Sequence, residues 1–196
     1  MATNIVATRG RPRQFNPEAA IATAQRLFHE KGYDAVSVAD LTKALGINPP
    51  SFYAAFGSKA GLYSRILDRY AETGAIPLAR IFAVERPLAE SLAEVLLEAA
   101  RYYAADPNAT GCMVLEGTRC LDPEARDAAR GYHVAAQAAI RSAIAARHPE
   151  QADMLADFVS TTMAGLSASA RHGQSLERLL STARMAGLAL AQALRD

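Results

Sequence analysis

The 196-residue sequence has no tryptophan and only two cysteines, Cys112 and Cys120. Two cysteines are too few for a small secreted fold held together by disulfides. Valine and isoleucine are also scarce, with 16 residues together against 43 alanines, so the apolar residues are mostly helix formers. No apolar run approaches the ~20 residues that span a bilayer. These shortages predict an all-α, soluble protein, which we expect in the cytoplasm with no membrane partner.

Charge is balanced overall but unevenly distributed along the chain. The formal net charge is +1. Residues 1–59 contain seven Lys and Arg against four Asp and Glu, whereas residues 60–196 contain fourteen against sixteen. A basic N-terminal part joined to a mildly acidic remainder predicts that the two parts have different partners.

Capping residues divide the chain into helical segments. Asn16-Pro17 and Asn48-Pro49 each combine an N-cap with a proline suited to the first helical turn, and Ser37 forms a near capping box with Asp40. Gly46 suits a C-terminal cap. The pattern predicts a helix of about nine residues after Ser37 and further helices at 17–31, 49–56, 59–82, 88–105, 110–120, 124–147, 150–172 and 175–195.

The two short helices on either side of Gly46 form a helix-turn-helix pattern. The outward face of the second helix is expected to carry Asn48, Pro49, Ser51, Ala54 and Ala55, which are small and polar enough to enter a DNA major groove. Helical hairpins in ordinary bundles have a similar pattern. Taken alone, the pattern leaves both interpretations open.

Residues 11–70 resemble the TetR family of bacterial transcriptional regulators. The matched segments are Arg11-Pro12-Arg13, Gly32-Tyr33, Ser37-Val38-Ala39-Asp40-Leu41, Leu45-Gly46-Ile47-Asn48, Ser51-Phe52-Tyr53 and Ser58-Lys59. Ala55 departs from the family, which often has His or Tyr before the following Phe. The resemblance implies a flexible basic arm (1–14), a three-helix DNA-binding domain (15–58) and a larger helical domain for ligand binding and dimerisation (59–196). It implies a ligand-responsive regulator of a palindromic operator, most often a repressor.

The resemblance also implies DNA contacts at particular residues. The residues expected to contact the bases in the major groove are Asn48, Pro49 and Ser51. Arg11 and Arg13 would enter the minor groove, although the arm could instead be a plain solubilising tail. Contacts to backbone phosphates are expected from Ser37, Thr42, Lys43, Tyr53, Ser58 and Lys59. For Tyr53 the alternative is a packing ring.

The C-terminal part carries apolar stripes on its last two helices. They predict a four-helix homodimer interface, with an intrachain core as the alternative. An apolar pocket with a few polar groups would bind a small organic effector. Its expected lining residues are Tyr63, Ile66, Tyr70, Tyr102, Cys112, Met113, Arg119, Tyr132, His133 and Met163.

Other chemistries have little support in the sequence. The four histidines are scattered without metal-ligand spacing, and no catalytic or cofactor motif is found, so we expect no metal, no cofactor and no enzyme. Buried structural cysteines are the favoured interpretation of Cys112 and Cys120. The alternative function is a helical small-molecule-binding protein, or a redox or electrophile sensor that acts through one of these cysteines.

Overall fold

A computed structural model describes residues 16–195, and every regular element in this range is helical. A short 3-10 turn, Pro149–Gln151, precedes the ninth α-helix. The helices are α1 Pro17–Lys31, α2 Val38–Leu45, α3 Pro49–Phe56, α4 Lys59–Thr73, α5 Leu78–Phe82, α6 Leu88–Tyr103, α7 Met113–Gly117, α8 Pro123–Ala145, α9 Ala152–Arg171 and α10 Leu176–Ala193. None of the helices in the described range is long and apolar enough to cross a membrane. The all-α prediction is confirmed.

Local capping fixes the geometry of α1 to α3, which we call the N-terminal unit. Asn16 accepts from the backbone N–H groups of Glu18 and Ala19. Gly46 ends α2 in the left-handed region, with φ of 66°, which glycine adopts without steric cost. Asn48 starts α3 by accepting from the backbone N–H of Ser51. The helix boundaries expected for this unit are therefore confirmed.

Two expected helices differ from the structure. The helix expected at 59–82 is two helices, because Pro77 lacks an N–H group and restricts the residue before it. The helix expected at 110–120 is only Met113–Gly117. Gly111 has φ of 77° and Cys112 is extended, so helical geometry cannot begin before Met113. Cys112 and Cys120 thus do not share one straight helix.

Helix α4 is buried against both halves of the molecule. Leu62, Tyr63, Ile66 and Leu67 lie in one apolar cluster with residues of α1 to α3, and that cluster also includes Met113 of α7 and buried alanines of α8. A second cluster joins α5, α6, α8, α9 and α10, which together with α7 we call the C-terminal unit. Helix α4 therefore packs against both units and connects them.

The apolar stripes of α9 and α10 lie mainly inside the chain. Leu155, Val159, Leu179, Ala183 and Leu190 are all buried, and α10 packs along α6. For those five residues the alternative of an intrachain core applies, because α6 covers them. Other apolar residues of the same two helices, among them Met154 and Phe158, are exposed.

Gly117 offers a sharp test of packing at α7. A Cβ added there would lie 2.4 Å from the Tyr63 hydroxyl oxygen and 2.7 Å from the Ala129 Cβ. We expect Gly117→Ala to lower the free energy of unfolding by about 1–3 kcal/mol. Gly131→Ala is the matched control, since a Cβ there meets nothing within 4 Å and helix propensity favours alanine by ~1 kcal/mol. Urea denaturation of both variants checks the opposite signs, and equal effects would contradict the close packing.

Candidate DNA-binding and effector sites

The exposed surface of α3 is formed by small polar and apolar residues, whereas its inner face is aromatic. Phe52 and Phe56 are buried in the N-terminal unit. Asn48, Pro49, Ser51 and Ala54 are exposed, and we call these four residues the reading surface. A helix that is anchored by two buried rings can present such a surface to a DNA groove as a rigid unit.

The reading surface keeps hydrogen-bonding groups available. The Asn48 side-chain oxygen accepts from Ser51 N–H at 2.9 Å, so its amide NH₂ remains available to donate to a base or phosphate. Among residues 16–195 the Ser51 hydroxyl has no hydrogen-bond partner. Tyr53 is 51% exposed, and its ring packs edge-on against Phe52. The ring of Tyr53 is thus both a packing group and an accessible one.

The candidate phosphate contacts differ in how accessible they are. Lys43 is exposed, and Ser58 caps α4 by accepting from Gly61 N–H. The Lys59 ammonium lies 4.0 Å from the centre of the Tyr33 ring, and burial lowers the pKa of Lys59. Arg11 and Arg13 lie outside the described residues.

Two predicted phosphate contacts have their polar groups occupied. Ser37 donates both its N–H and its hydroxyl to the Asp40 carboxylate, which completes the capping box. The hydrogen bonds from Ser37 lower the pKa of Asp40, so a negative charge stands at this helix end. Thr42 is 8% exposed, and its hydroxyl donates to the Ala39 carbonyl. Neither side chain is free to bind a phosphate.

A polar joint connects the N-terminal unit to the loop before α8. The Tyr33 hydroxyl donates to the Asp122 carboxylate at 2.7 Å, and Asp34 accepts from the backbone N–H of Leu121. Asp122 also caps α8. Its contact with Tyr33 joins residues 89 positions apart, which no local pattern reveals.

His29 makes the second part of this joint. Its Nε2 lies 3.1 Å from the Gly111 carbonyl oxygen, and its own carbonyl accepts from Arg171. Its ring packs edge-on against Tyr70. Burial lowers the pKa of His29, so the ring is neutral at pH 7 and Nε2–H donates to Gly111. One α1 side chain therefore touches α4 and the segment before α7.

A cavity of about 260 Å³ lies where the end of α4, the turn after it, α7, α8 and α9 meet. Five of the expected effector residues line it. They are Tyr70, Cys112, Tyr132, His133 and Met163. The cavity begins next to His29, because Tyr70 and Cys112 are wall residues and Gly111 directly precedes Cys112.

The remaining five expected effector residues are not in the cavity wall. Tyr63, Ile66 and Met113 are core residues of the cluster around α4. Arg119 is exposed and pairs with Glu116, since the chain turns away after Gly117. Tyr102 lines a separate cleft that also contains His29. The cavity therefore does not support these five predictions, and for the buried ones apolar character alone could not separate a cavity wall from a packed core.

Neither cysteine forms a disulfide, and each sulfur contacts a neighbouring polar group. The Tyr70 hydroxyl lies 3.9 Å from the Cys112 sulfur, and the Cys120 thiol donates to the Asp122 carbonyl. Burial raises the pKa of both thiols, which keeps them in the weakly nucleophilic protonated form. These contacts favour a packing role over electrophile sensing. In the described part of the chain, no cluster of His, Cys, Asp and Glu could hold a metal ion.

Comparisons with known proteins agree with this arrangement. A family model described as "Bacterial regulatory proteins, tetR family" matches residues 20–66. The chain is 57% identical over 187 residues to the HTH-type transcriptional repressor BdcR of Escherichia coli (strain K12), covering 95% of each protein. It is 33% identical to the repressor ComR of the same strain, over 90% of this chain and 89% of that protein.

A solved structure is similar over nearly the whole chain. It contains a cysteine mutant of the TetR family transcriptional regulator CifR complexed with 26 bp double-strand operator DNA. The two chains superpose with a TM-score of 0.82 and are 31% identical, and the match covers 91% of this chain and 99% of that one. The relationship therefore extends through both units.

The Tyr33–Asp122 hydrogen bond predicts a pH-dependent stability difference. The bond from Tyr33 is the largest cause that holds the pKa of Asp122 below its ordinary range. Ionised Asp122 therefore stabilises the fold above the unfolded pKa of about 3.9, and this contribution is lost as pH falls through the lowered pKa. Tyr33→Phe should lower the free energy of unfolding by about 1–2 kcal/mol at pH 7, and by less at pH 3.

Chemical denaturation of Tyr33→Phe and the wild type at the two pH values measures this difference. Tyr102→Phe is the control, because the Tyr102 hydroxyl has no hydrogen-bond partner within residues 16–195. An equal loss for Tyr33→Phe at both pH values would show that ionised Asp122 is not the acceptor that matters.

Proposed function

The chain belongs to the TetR family of bacterial transcriptional regulators, and we propose that it is a homodimeric repressor that binds a two-fold-symmetric operator and responds to a small organic effector. It is a DNA-binding regulator rather than an enzyme. The observation that carries the proposal is the exposed reading surface of α3, held in place by Phe52 and Phe56. Since its partner is double-stranded DNA, we place the protein in the cytoplasm.

The reading surface supplies the base contacts. The free Asn48 amide donates to a purine or thymine acceptor in the major groove, and the Ser51 hydroxyl can donate or accept. Pro49 and Ala54 give apolar contact, with Ala54 suited to a thymine methyl group. The expectation for Asn48, Pro49 and Ser51 is retained because the structure leaves these residues exposed.

Phosphate contacts set the position of this surface on the duplex. Lys43, Tyr53, Ser58 and Lys59 remain in the proposed set, with Lys59 held near Tyr33. Ser37 and Thr42 are left out because their polar groups bind within α2. The minor-groove contacts of Arg11 and Arg13 are proposed from their sequence alone.

The outward faces of α9 and α10 form the proposed dimer interface. Residues at alternating spacings of three and four are exposed on each helix, as in a four-helix bundle. On α9 they are Met154, Phe158, Thr161, Gly165 and Ala168. On α10 they are Arg178, Ser181, Met185, Leu188 and Gln192. An apolar groove runs between the two helices, and exposed apolar surface of this kind is typical of an interface.

Effector binding acts on the joint between the two units. An occupant of the cavity contacts Tyr70 and Cys112, which border the His29–Gly111 contact. A shift of these wall residues changes how α1 sits on the C-terminal unit and hence the separation of the two reading surfaces in the dimer. The effector drives this change only if it binds one arrangement more tightly than the other.

The reading surface and the phosphate contacts have different measurable effects. Lys43→Met should weaken binding to every duplex and reduce the slope of log affinity against log salt by about 2 for the dimer, one per half-site. Ser51→Ala should relax discrimination between operator bases with little change in that slope. Fluorescence anisotropy on an operator selected from a random duplex library, repeated at several salt concentrations, distinguishes these effects.

Arg80→Met is the matched control for the charge change, because Arg80 is exposed on α5, outside the proposed contacts. We expect it to leave affinity and salt slope unchanged. If no two-fold-symmetric sequence is enriched by the wild-type protein, the proposed function is wrong.

Loss of dimerisation should lower operator affinity at least as much as loss of one phosphate contact. Leu188 is 67% exposed, so Leu188→Glu leaves the chain's own core intact but places a carboxylate in the proposed interface. We expect sedimentation to show monomers and operator affinity to fall by about tenfold or more, at least as far as in Lys43→Met. Val134→Glu, at an exposed position of α8, is the control. A dimeric Leu188→Glu protein would contradict the interface.

A further inference from the structure

The effector cavity has an uncharged wall. Its lining residues come from α4 and the turn after it, from α5 to α9 and from Cys112 before α7, and they include no Asp, Glu, Lys or Arg. Most of the wall is alkyl or aromatic carbon, with Ile76 and Leu78 on one side and Ile140 and Met163 on another. A charged ligand would lose its hydration here without gaining an opposite fixed charge, which is strongly unfavourable.

Two of the polar groups in the wall are already engaged. The Tyr132 hydroxyl donates to Asp68, and the Tyr70 hydroxyl contacts the Cys112 sulfur. These interactions occupy the two phenol groups, so neither hydroxyl is the favoured partner for a polar group of an occupant.

The polar groups that remain available lie together on α8 and α9. His133 and Gln137 are one helical turn apart on α8, and Ser160 faces the same cavity from α9. No hydrogen bond involves these three side chains within residues 16–195. They can bind one hydroxyl, carbonyl or amide group of a ligand whose remaining atoms are apolar.

The cavity volume limits the size of the ligand. At about 260 Å³, the cavity lies just below the roughly 300–1,000 Å³ range of drug-sized ligand sites, so it suits a small ligand. Nucleotides and other phosphorylated metabolites are both too large and too highly charged for this space.

We propose that the effector is a small uncharged molecule with an apolar or aromatic body and one hydrogen-bonding group held by His133, Gln137 or Ser160. This inference rests on the proposed function, since it specifies the ligand class of the same regulator. The uncharged wall disfavours carboxylates and ammonium compounds of the same size. His133 is the group through which an anion could still bind, and the experiment therefore includes one.

The test uses three probes matched in size and shape: 2-phenylethanol, phenylacetate and 2-phenylethylammonium. Binding to the full-length protein is measured by calorimetry and by the shift in thermal unfolding. We expect 2-phenylethanol to bind at least tenfold more tightly than either charged probe. Equal or tighter binding of phenylacetate or 2-phenylethylammonium would overturn the proposal, as would no detectable binding of 2-phenylethanol.

Two alanines of α8 locate the site. Ala136 lines the cavity, whereas Ala138 is exposed on the same helix and is not in the wall. We expect Ala136→Phe to weaken 2-phenylethanol binding by at least tenfold and Ala138→Phe to leave it unchanged. Equal loss in both variants would place the site elsewhere and overturn the proposal.

Operator binding without any probe is measured separately on the same proteins. If the wild type binds operator DNA but prefers a charged probe, the ligand class is wrong and the proposed function stands. If it binds 2-phenylethanol in the cavity but binds no operator, the proposed function fails and the ligand class stands.

Discussion

Helix α4 must be buried against two partners at once, and the positions of both units depend on this constraint. Its Leu62, Ile66 and Leu67 are fully buried, and Tyr63 packs against the rings of Phe28 and Tyr33. Its first turn lies so close to α3 that a Cβ at Gly61 would be 2.4 Å from the Phe56 carbonyl oxygen. The reading surface therefore cannot tilt on α4, and a change in its position has to move α4 with it.

Helix α4 is held to α7 and α8 by apolar packing, whereas the N-terminal unit makes direct polar contacts with the C-terminal unit through single hydrogen bonds. Each contributes about 1 kcal/mol, as for Tyr33 with Asp122 and His29 with Gly111. Coupling between an effector and DNA is typically ~1–3 kcal/mol. A single hydrogen bond of this joint is thus comparable in free energy to the coupling that a small ligand supplies.

Sequence reasoning succeeded where structure is set by neighbouring residues and failed where it is set by distant ones. Gly46 and Asn48-Pro49 fix the turn and start of α3 locally, so α1 to α3 were predicted to the residue or nearly so. Pro77 marks a helix break, but the apolar pattern on either side of it predicted one continuous helix. The burial of Leu179 under α6 and the pairing of Tyr33 with Asp122 depend on tertiary contacts, which periodicity cannot supply.

The charge distribution explains why a weak joint suffices for regulation. The chain is nearly neutral. In its basic part, the Lys59 ammonium packs on the Tyr33 ring, and the Asp40 carboxylate adds a negative charge next to Ser37. Under the proposed function, one reading surface alone binds more weakly than the two surfaces of a dimer acting together. High affinity requires both surfaces of a dimer to engage together, which depends on their separation. A small rotation at the joint can then release DNA without weakening any single protein–DNA contact, because it prevents the second half-site from being reached.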